Sequence, residues 1–385
     1  MKKLAAIVIF LSVLNSCNND KWAEYSEPDF SGNSEAVYLE QVDSAVIAVP
    51  EKHYNIFQNC QIYHDSLLYA VSWYDEMRLS LYNLASRSFM YDILLDKNTS
   101  AVNRINNFMV ASEDSIFFTS FPKTGLVLVD SRARKLDTWI DDDMVISPEM
   151  EPGLSGGYAF STAAYLDNFQ YDREKKLIYA ALSPGSAYDQ IGSPEVKRHG
   201  IYNTVTRKWE KIMAPYEGVL KYKGDNVYFY DMHYTYQLVL GDRMYVTYPV
   251  DHRVYVYDIN TGKLVMEKEI SPSCAVKFAK PLDPSLCSDE ELNQLRKTTA
   301  YYGPVYYHPD VECFSRFYNL PHVDGKDSEM AVIIYDRDFN IVCEKMFSTN
   351  IIIKLVPADD GLVALLTDPY DADNFVMVKY KICQK

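Results

Sequence analysis

The acidic run Asp141-Asp142-Asp143, followed by Glu149 and Glu151, offers oxygen ligands of the kind a calcium ion takes. Its spacing is not that of an EF-hand loop, and a solvated acidic loop accounts for the same residues. The histidines (His53, His64, His199, His233, His252, His308 and His322) form no H-x-x-H or H-E-x-x-H pair, so no zinc site is indicated. There is no G-x-S-x-G elbow and no glycine-rich phosphate loop at a strand–helix junction. No catalytic motif is therefore legible, although a triad assembled only in space would leave no mark in the sequence.

One residue does carry covalent chemistry. Lys2-Lys3 is followed by the apolar run Leu4–Leu14 and then by Leu14-Asn15-Ser16-Cys17. A charged start and a short apolar core make a secretory signal, too short to remain as a membrane span. Its ending resembles a bacterial lipobox, which implies a signal peptide over 1–16 and lipidation, with palmitate among the acyl chains, at Cys17. Several acyl chains on one residue anchor stably. Asn18 is not the Asp that favours inner-membrane retention, so the outer membrane of a Gram-negative envelope is expected. Residues 17–34 then read as a polar tether.

Lipidation of one of the seven cysteines leaves an even number in an oxidising compartment. Cys274 and Cys287 bracket one insertion and are the expected disulfide pair. Cys313 and Cys343 read as lying on the second and fourth strands of one sheet. Two strand spacings of about 4.8 Å separate them, beyond disulfide reach.

The elements that position these residues follow from a repeat. Gly241–Ile270 reads as three strands, Arg243–Thr247, Arg253–Asp258 and Lys263–Ile270, rich in Val, Tyr and Ile. The turn Asp258-Ile259-Asn260-Thr261-Gly262-Lys263 joins the last two. An apolar or aromatic residue followed by Asp or Asn and a polar turn recurs at Tyr82-Asn83, Val129-Asp130, Tyr202-Asn203 and Tyr335-Asp336. A second marker, a strand ending in or near proline, precedes it at Pro122, Pro184, Pro249, Pro321 and Pro369. Successive copies lie roughly 45–75 residues apart, which means about four strands per unit. A β-sandwich with similar turns is the competing architecture.

The expected fold is all-β: a six-bladed β-propeller over residues 35–385, with blades near 59–95, 105–140, 165–214, 235–270, 302–347 and 351–382. The last blade has three strands, and Ser44–Val49 is free to supply the fourth and close the ring. The one clear helix, Asp289–Lys297, lies in an insertion and opens with a capping box of Ser288 and Glu291.

Hydrophobic residues make up 48% of the chain, enough for a sizeable core, and 32 tyrosines suit blade surfaces and funnel walls. The formal charge is −15 and no basic cluster stands out, so nucleic acid is not an expected partner. The loops entering each blade and those joining second to third strands gather at one channel mouth. There they bring Trp73, Arg78, His233, Tyr234, Tyr248, His252, Arg253 and His322, a set suited to binding.

With the lipobox, the blade turns and the length together, the chain resembles the uncharacterised six-bladed β-propeller lipoproteins common in Bacteroidota. Related propellers include calcium-dependent lactonases and NHL-type interaction modules. In the lactonases, inner-strand Asn, Asp and Glu hold the metal. Here Asn59, Asn107 and Asn168, with Asp167 beside the last, fall near the starts of three innermost strands. The other three offer Tyr236, Val305 and Ile353, an incomplete ring, so no cofactor is expected and calcium is only the weak alternative. The resemblance implies a lipid-anchored envelope module that binds a peptide, a glycan or another envelope protein at its channel mouth. A calcium-dependent hydrolase and a structural subunit of an envelope complex are the alternatives.

Overall fold

The structure, a computed structural model, describes residues 37–50, 57–72, 78–95, 105–120, 126–139, 146, 169–182, 195–222, 230–283, 288–322, 328–348, 352–366 and 373–384. Residues 1–34, where the signal peptide, the lipidated Cys17 and the tether are expected, lie outside them. Everything below concerns the unit Asn33–Lys385.

Strand β1 (Val37–Ala48) comes first. Blade 1 is β2 (Phe57–Tyr63), β3 (Leu67–Ser72), β4 (Arg78–Asn83) and β5 (Ser88–Leu94). Blade 2 is β6 (Ile105–Ser112), β7 (Ser115–Ser120), β8 (Leu126–Val129) and β9 (Lys135–Trp139). Blade 3 is β10 (Phe169–Asp172), β11 (Leu177–Ala181), β12 (Lys197–Asn203) and β13 (Lys208–Pro215). Blade 4 is β14 (Tyr236–Leu240), β15 (Arg243–Thr247), β16 (Arg253–Asp258) and β17 (Leu264–Glu269). Blade 5 is β18 (Tyr301–His308), β19 (Cys313–Asn319), β20 (Glu329–Tyr335) and β21 (Ile341–Ser348). Blade 6 is β22 (Ile352–Ala358), β23 (Gly361–Leu366) and β24 (Asn374–Gln384), completed by β1 on its outer edge.

Every blade is a four-stranded antiparallel sheet, and the innermost strands β2, β6, β10, β14, β18 and β22 touch in cyclic order, β22 against β2. This is a six-bladed propeller closed by its N-terminal strand. The ladder runs antiparallel from Val37↔Gln384 to Ala48↔Asn374. It starts seven residues before the expected Ser44, because a bulge at Gln41/Asp43 breaks the in–out alternation that marks a strand in sequence.

The repeated turn has a single physical basis. In blades 1–5 the Asp or Asn of the marker accepts backbone N–H bonds from its own turn. Ser86 N donates to Asn83 Oδ1 (2.8 Å), and Arg132 N to Asp130 Oδ1 (2.9 Å). Val205 N donates to Asn203 Oδ1 (2.9 Å), Thr261 N to Asp258 Oδ1 (2.7 Å) and Asp338 N to Asp336 Oδ1 (2.9 Å). Bonds from the Thr261 backbone and hydroxyl hold the Asp258 carboxyl below its usual range. Each turn then passes through a left-handed residue: Arg87, Ala133, Arg207, Gly262 and Phe339. Only one of the five is glycine, because the side-chain acceptor fixes the turn that glycine would otherwise ease. In each blade the same turn accompanies a bulge next to the marker's first residue.

That first residue is the blade's buried knob: Tyr82, Val129, Tyr202, Tyr257 and Tyr335 are all buried. Among the described residues, hydrophobic clusters fill the five seams from blade 6 round to blade 5, each a core of its own. Tyr69, Tyr82, Tyr202, Tyr248, Tyr255, Tyr302, Tyr318 and Tyr335 are fully buried there. Much of the tyrosine thus packs the seams, where the expectation was blade surfaces and funnel walls.

Helix α1 (Gly218–Tyr222), unmarked in the sequence, packs Leu220 into the seam between blades 3 and 4. Helix α2 (Asp289–Thr298) carries the expected Ser288/Glu291 capping box and buries Leu295 in the same seam. Cys313 and Cys343 lie on β19 and β21, separated by β20, and both are free thiols.

Closure makes a sharp prediction from two adjacent side chains. Ile47 is fully buried between blades 6 and 1, whereas Val46 is exposed. Ile47→Ala is expected to lower stability by about 2–4 kcal/mol and Val46→Ala by less than about 0.5 kcal/mol, read from urea unfolding midpoints. Equal effects would mean that the observed register of β1 on β24 is not the one in solution.

Candidate functional site: the central channel

An innermost strand pairs on one side only, so half of its backbone N–H and C=O groups point towards the axis. Buried without partners they would be costly. The protein answers at alternate seams with side chains that take the place of a neighbouring strand. Gln61 on β2 accepts from Val110 N (2.8 Å) and donates to Val110 O (3.4 Å) on β6. Gln170 on β10 does the same to β14, accepting from Val239 N (2.5 Å) and donating to Val239 O (3.2 Å). His308 on β18 contacts Ala358 O on β22 through Nδ1 at 2.7 Å. Blade 1 thus clasps blade 2, blade 3 clasps blade 4 and blade 5 clasps blade 6.

The outer rim is tied in the same direction. Asp43 on β1 bonds Arg87 in the turn of blade 1 (2.8 Å), and Asp137 on β9 bonds Arg207 in the turn of blade 3 (2.7 Å). Lys211 on β13 donates to Ile259 O (2.7 Å), and Lys268 on β17 to Asp338 O. Apart from the part-buried Lys211 bond these ties are solvent-exposed, and each adds little; the inner clasps are the stronger device.

Inside this ring is a cavity of about 440 Å³ lined by all six innermost strands. Its lining includes Gln61, Ile62, Val110 and Ala111 near the ends of β2 and β6, and Tyr171, Tyr307 and Asp359 near the ends of β10, β18 and β22. The described cavity therefore sits towards the face of the first-to-second-strand turns, away from the loops chosen in the sequence. Among the described residues of the lining, Asp359 is the one charged side chain. Burial, then the nearby charges of Asp65 and Asp310, pushes its carboxyl above the usual range.

The sequence-chosen residues fall in several places. Asn59 and Asn107 meet: Asn59 Nδ2 donates to Asn107 Oδ1, which also accepts from Phe108 N at 2.8 Å. Both lone pairs of that oxygen are engaged, leaving it poorly placed to ligate an ion. Asp167, Asn168 and Trp73 lie outside the described residues, as does Cys287, while Cys274 is a free thiol pushed up to about 11 by burial and the Glu344 charge. No group of three or more His, Cys, Asp or Glu suited to a metal occurs among the described residues.

Of the mouth set, Tyr248 is fully buried, its hydroxyl donating to Pro215 O (3.1 Å). His233 is buried, its carbonyl accepting from the Tyr216 hydroxyl (2.7 Å), with Tyr234 half-buried beside it. Arg78 lies 3.6 Å from Asp92, and Arg253 pairs with Asp251, Glu267 and Glu269. His252 contacts the Tyr302 hydroxyl (2.7 Å), and exposed His322 contacts Ser328 (3.0 Å). None of these seven described residues lines the cavity.

The sequence did hold a signal for the clasps: Gln61 and Gln170 each lie two residues before the end of their innermost strand, and in the sequence each follows an Asn by two positions. One further polar pair sits at the seam of blades 3 and 4. His199 Nδ1 donates to Gln237 Oε1 at 2.8 Å, which leaves the His199 Nε2 lone pair and the Gln237 amide nitrogen buried without partners. Burial, aided by the Arg198 charge, lowers the His199 pKa to about 4.

Two outcomes follow. Gln170→Leu strips two backbone groups of β14 of their partners, and a loss of about 1–3 kcal/mol in urea unfolding is expected. His199 stays neutral when folded but takes a proton when unfolded below about pH 6.5. Its stabilisation is therefore complete above that pH and is lost as pH falls towards 4, a cost of about 2 kcal/mol by pH 5. Unfolding midpoints of His199→Gln should fall less steeply between pH 7 and 5 than those of the wild type; parallel curves would refute the assignment.

Comparison with known proteins accords with this geometry. A crystal structure of a DUF4221 family member from Bacteroides vulgatus ATCC 8482 superposes with a TM-score of 0.62 at 13% identity, covering 92% of this chain and 100% of that one. A candidate exported protein from Bacteroides fragilis NCTC 9343 superposes with a TM-score of 0.52 at 10% identity, covering 92% and 98%. At these identities the likeness is one of fold. No curated protein matches the chain. The sequence profile of the domain of unknown function DUF4221 matches residues 37–346, from the closing strand through blade 5, and this chain belongs to that family.

Proposed function

We propose that this chain is a lipid-anchored propeller of the bacterial cell envelope that binds a ligand in its central channel. The observation that carries the reading is the cavity of about 440 Å³ bounded by all six innermost strands. Its size is that of a small-ligand site, and its walls combine aromatic and aliphatic surface with a few fixed amides. The anchor rests on Lys2-Lys3, the apolar run and Cys17. The candidate exported relative points towards the same compartment.

Two measurements test it. Cys17→Ala should move the protein from the membrane fraction to the soluble one; unchanged membrane association would remove the lipid anchor. Native mass spectrometry of the full-length protein purified from envelope extract should show a bound small molecule. Ala111→Trp, which fills the cavity from β6, should lose it. Retention of that mass in Ala111→Trp would place the ligand elsewhere. Co-purified envelope proteins with no small-molecule adduct would favour a structural subunit.

A further inference from the structure

The channel lining narrows the class of ligand, an inference that rests on reading the channel as a binding site. Four primary amides line the cavity: Gln61, Asn107, Gln170 and Gln237. A primary amide has two N–H groups and two lone pairs. The clasps of Gln61 and Gln170 use one of each, which leaves each residue with a further donor and acceptor, side by side and held rigidly. Gln237 points its carbonyl to His199 and its amide nitrogen is buried out of a ligand's reach, so it shapes the wall and leaves the reading of hydroxyls to Gln61 and Gln170. A ligand that suits this wall alternates donors and acceptors on adjacent atoms, as vicinal hydroxyls do.

The remaining wall is aromatic and supported from behind. Tyr171 packs on Phe117 (ring centroids 4.8 Å apart), Tyr306 on Phe317 (5.6 Å) and Tyr307 on Phe314 (5.1 Å). All three tyrosines are half-buried and line the cavity, so they present fixed apolar surface of the kind that packs against the C–H faces of a sugar ring.

Charge excludes other classes. Among the described residues no Lys or Arg lines the cavity to pair with a phosphate or carboxylate. At its turn-side end Asp359 N donates to Asp65 Oδ1 (2.9 Å) and Asp310 N to Asp359 O (3.2 Å), so carboxylates of blades 1, 5 and 6 meet there and repel anions. An extended peptide would need free strand edges for its own backbone. Those of β6, β14 and β22 are already engaged at Val110, Val239 and Ala358 by Gln61, Gln170 and His308.

We propose that the central channel is a binding site for an uncharged saccharide, its hydroxyls read by Gln61 and Gln170 and its ring faces by Tyr171, Tyr306 and Tyr307. Isothermal titration calorimetry on the full-length protein tests this with four neutral probes: maltose, cellobiose, mannobiose and N,N′-diacetylchitobiose. A hyaluronan disaccharide serves as the anionic probe. At least one neutral probe should bind. Tyr306→Ala should weaken it at least tenfold, and Tyr306→Phe, which keeps the ring and guards against misfolding, should not. The anionic probe should bind only to Asp359→Asn.

The proposal is overturned if none of the four neutral probes binds, if Tyr306→Ala binds as the wild type does, or if the anionic probe binds the wild type equally well. Trilysine binding in place of the sugars would also overturn it, in favour of a basic peptide at the acidic end. A small-molecule adduct that Ala111→Trp abolishes would, beside any of these failures, keep the channel as a site while removing the saccharide. Its absence would remove both.

Discussion

The ladder between β1 and β24 is the constraint on which the rest depends. Without β1, blade 6 would have three strands, and β24 would present an unpaired outer edge. With it, the two ends of the chain are zipped over eleven residue pairs, and a row of blades becomes a ring. The channel exists only because the ring is closed, and so does the seam that buries Ile47, Tyr82 and Phe375 together.

Within the ring each blade is stabilised chiefly by its neighbours. The clusters lie between sheets, and the polar ties run from one blade to the next at both rims. Among the described residues the inner clasps join blades 1 to 2, 3 to 4 and 5 to 6, while buried Arg316 on β19 ties blade 5 to blade 4 by donating to Tyr248 O and Asp251 O. At the seams between blades 3 and 6, histidines do part of the bridging: His199 to Gln237, His252 to Tyr302 and His308 to Ala358. All three are lowered in pKa chiefly by burial, so acid acts on these seams together.

The same clasps shape the cavity. Side chains that satisfy the inward backbone of β6 and β14 also fix the amides that line the channel, so fold stability and site geometry share Gln61 and Gln170. A site built on strands in this way is stiffer than one carried on loops. It also leaves each amide with hydrogen-bonding capacity that the fold does not consume.

What the sequence determined by itself was whatever repeats locally. The Asp or Asn at 83, 130, 203, 258 and 336 binds its own turn, so the signal survives without the fold. Blade number, strand order and the capping box of α2 followed from such local rules. The extent of β1 did not, because a bulge hides its period, and α1 did not, because five residues carry no helical pattern of their own. Nor did the site. Tyr248 and His233 sit in loop-like sequence yet are buried, while Gln61, Gln170 and Gln237 look like ordinary polar residues within strands. Their roles depend on which strand of the next blade lies opposite, a relation between residues 38 to 69 positions apart. Only closure of the ring sets it.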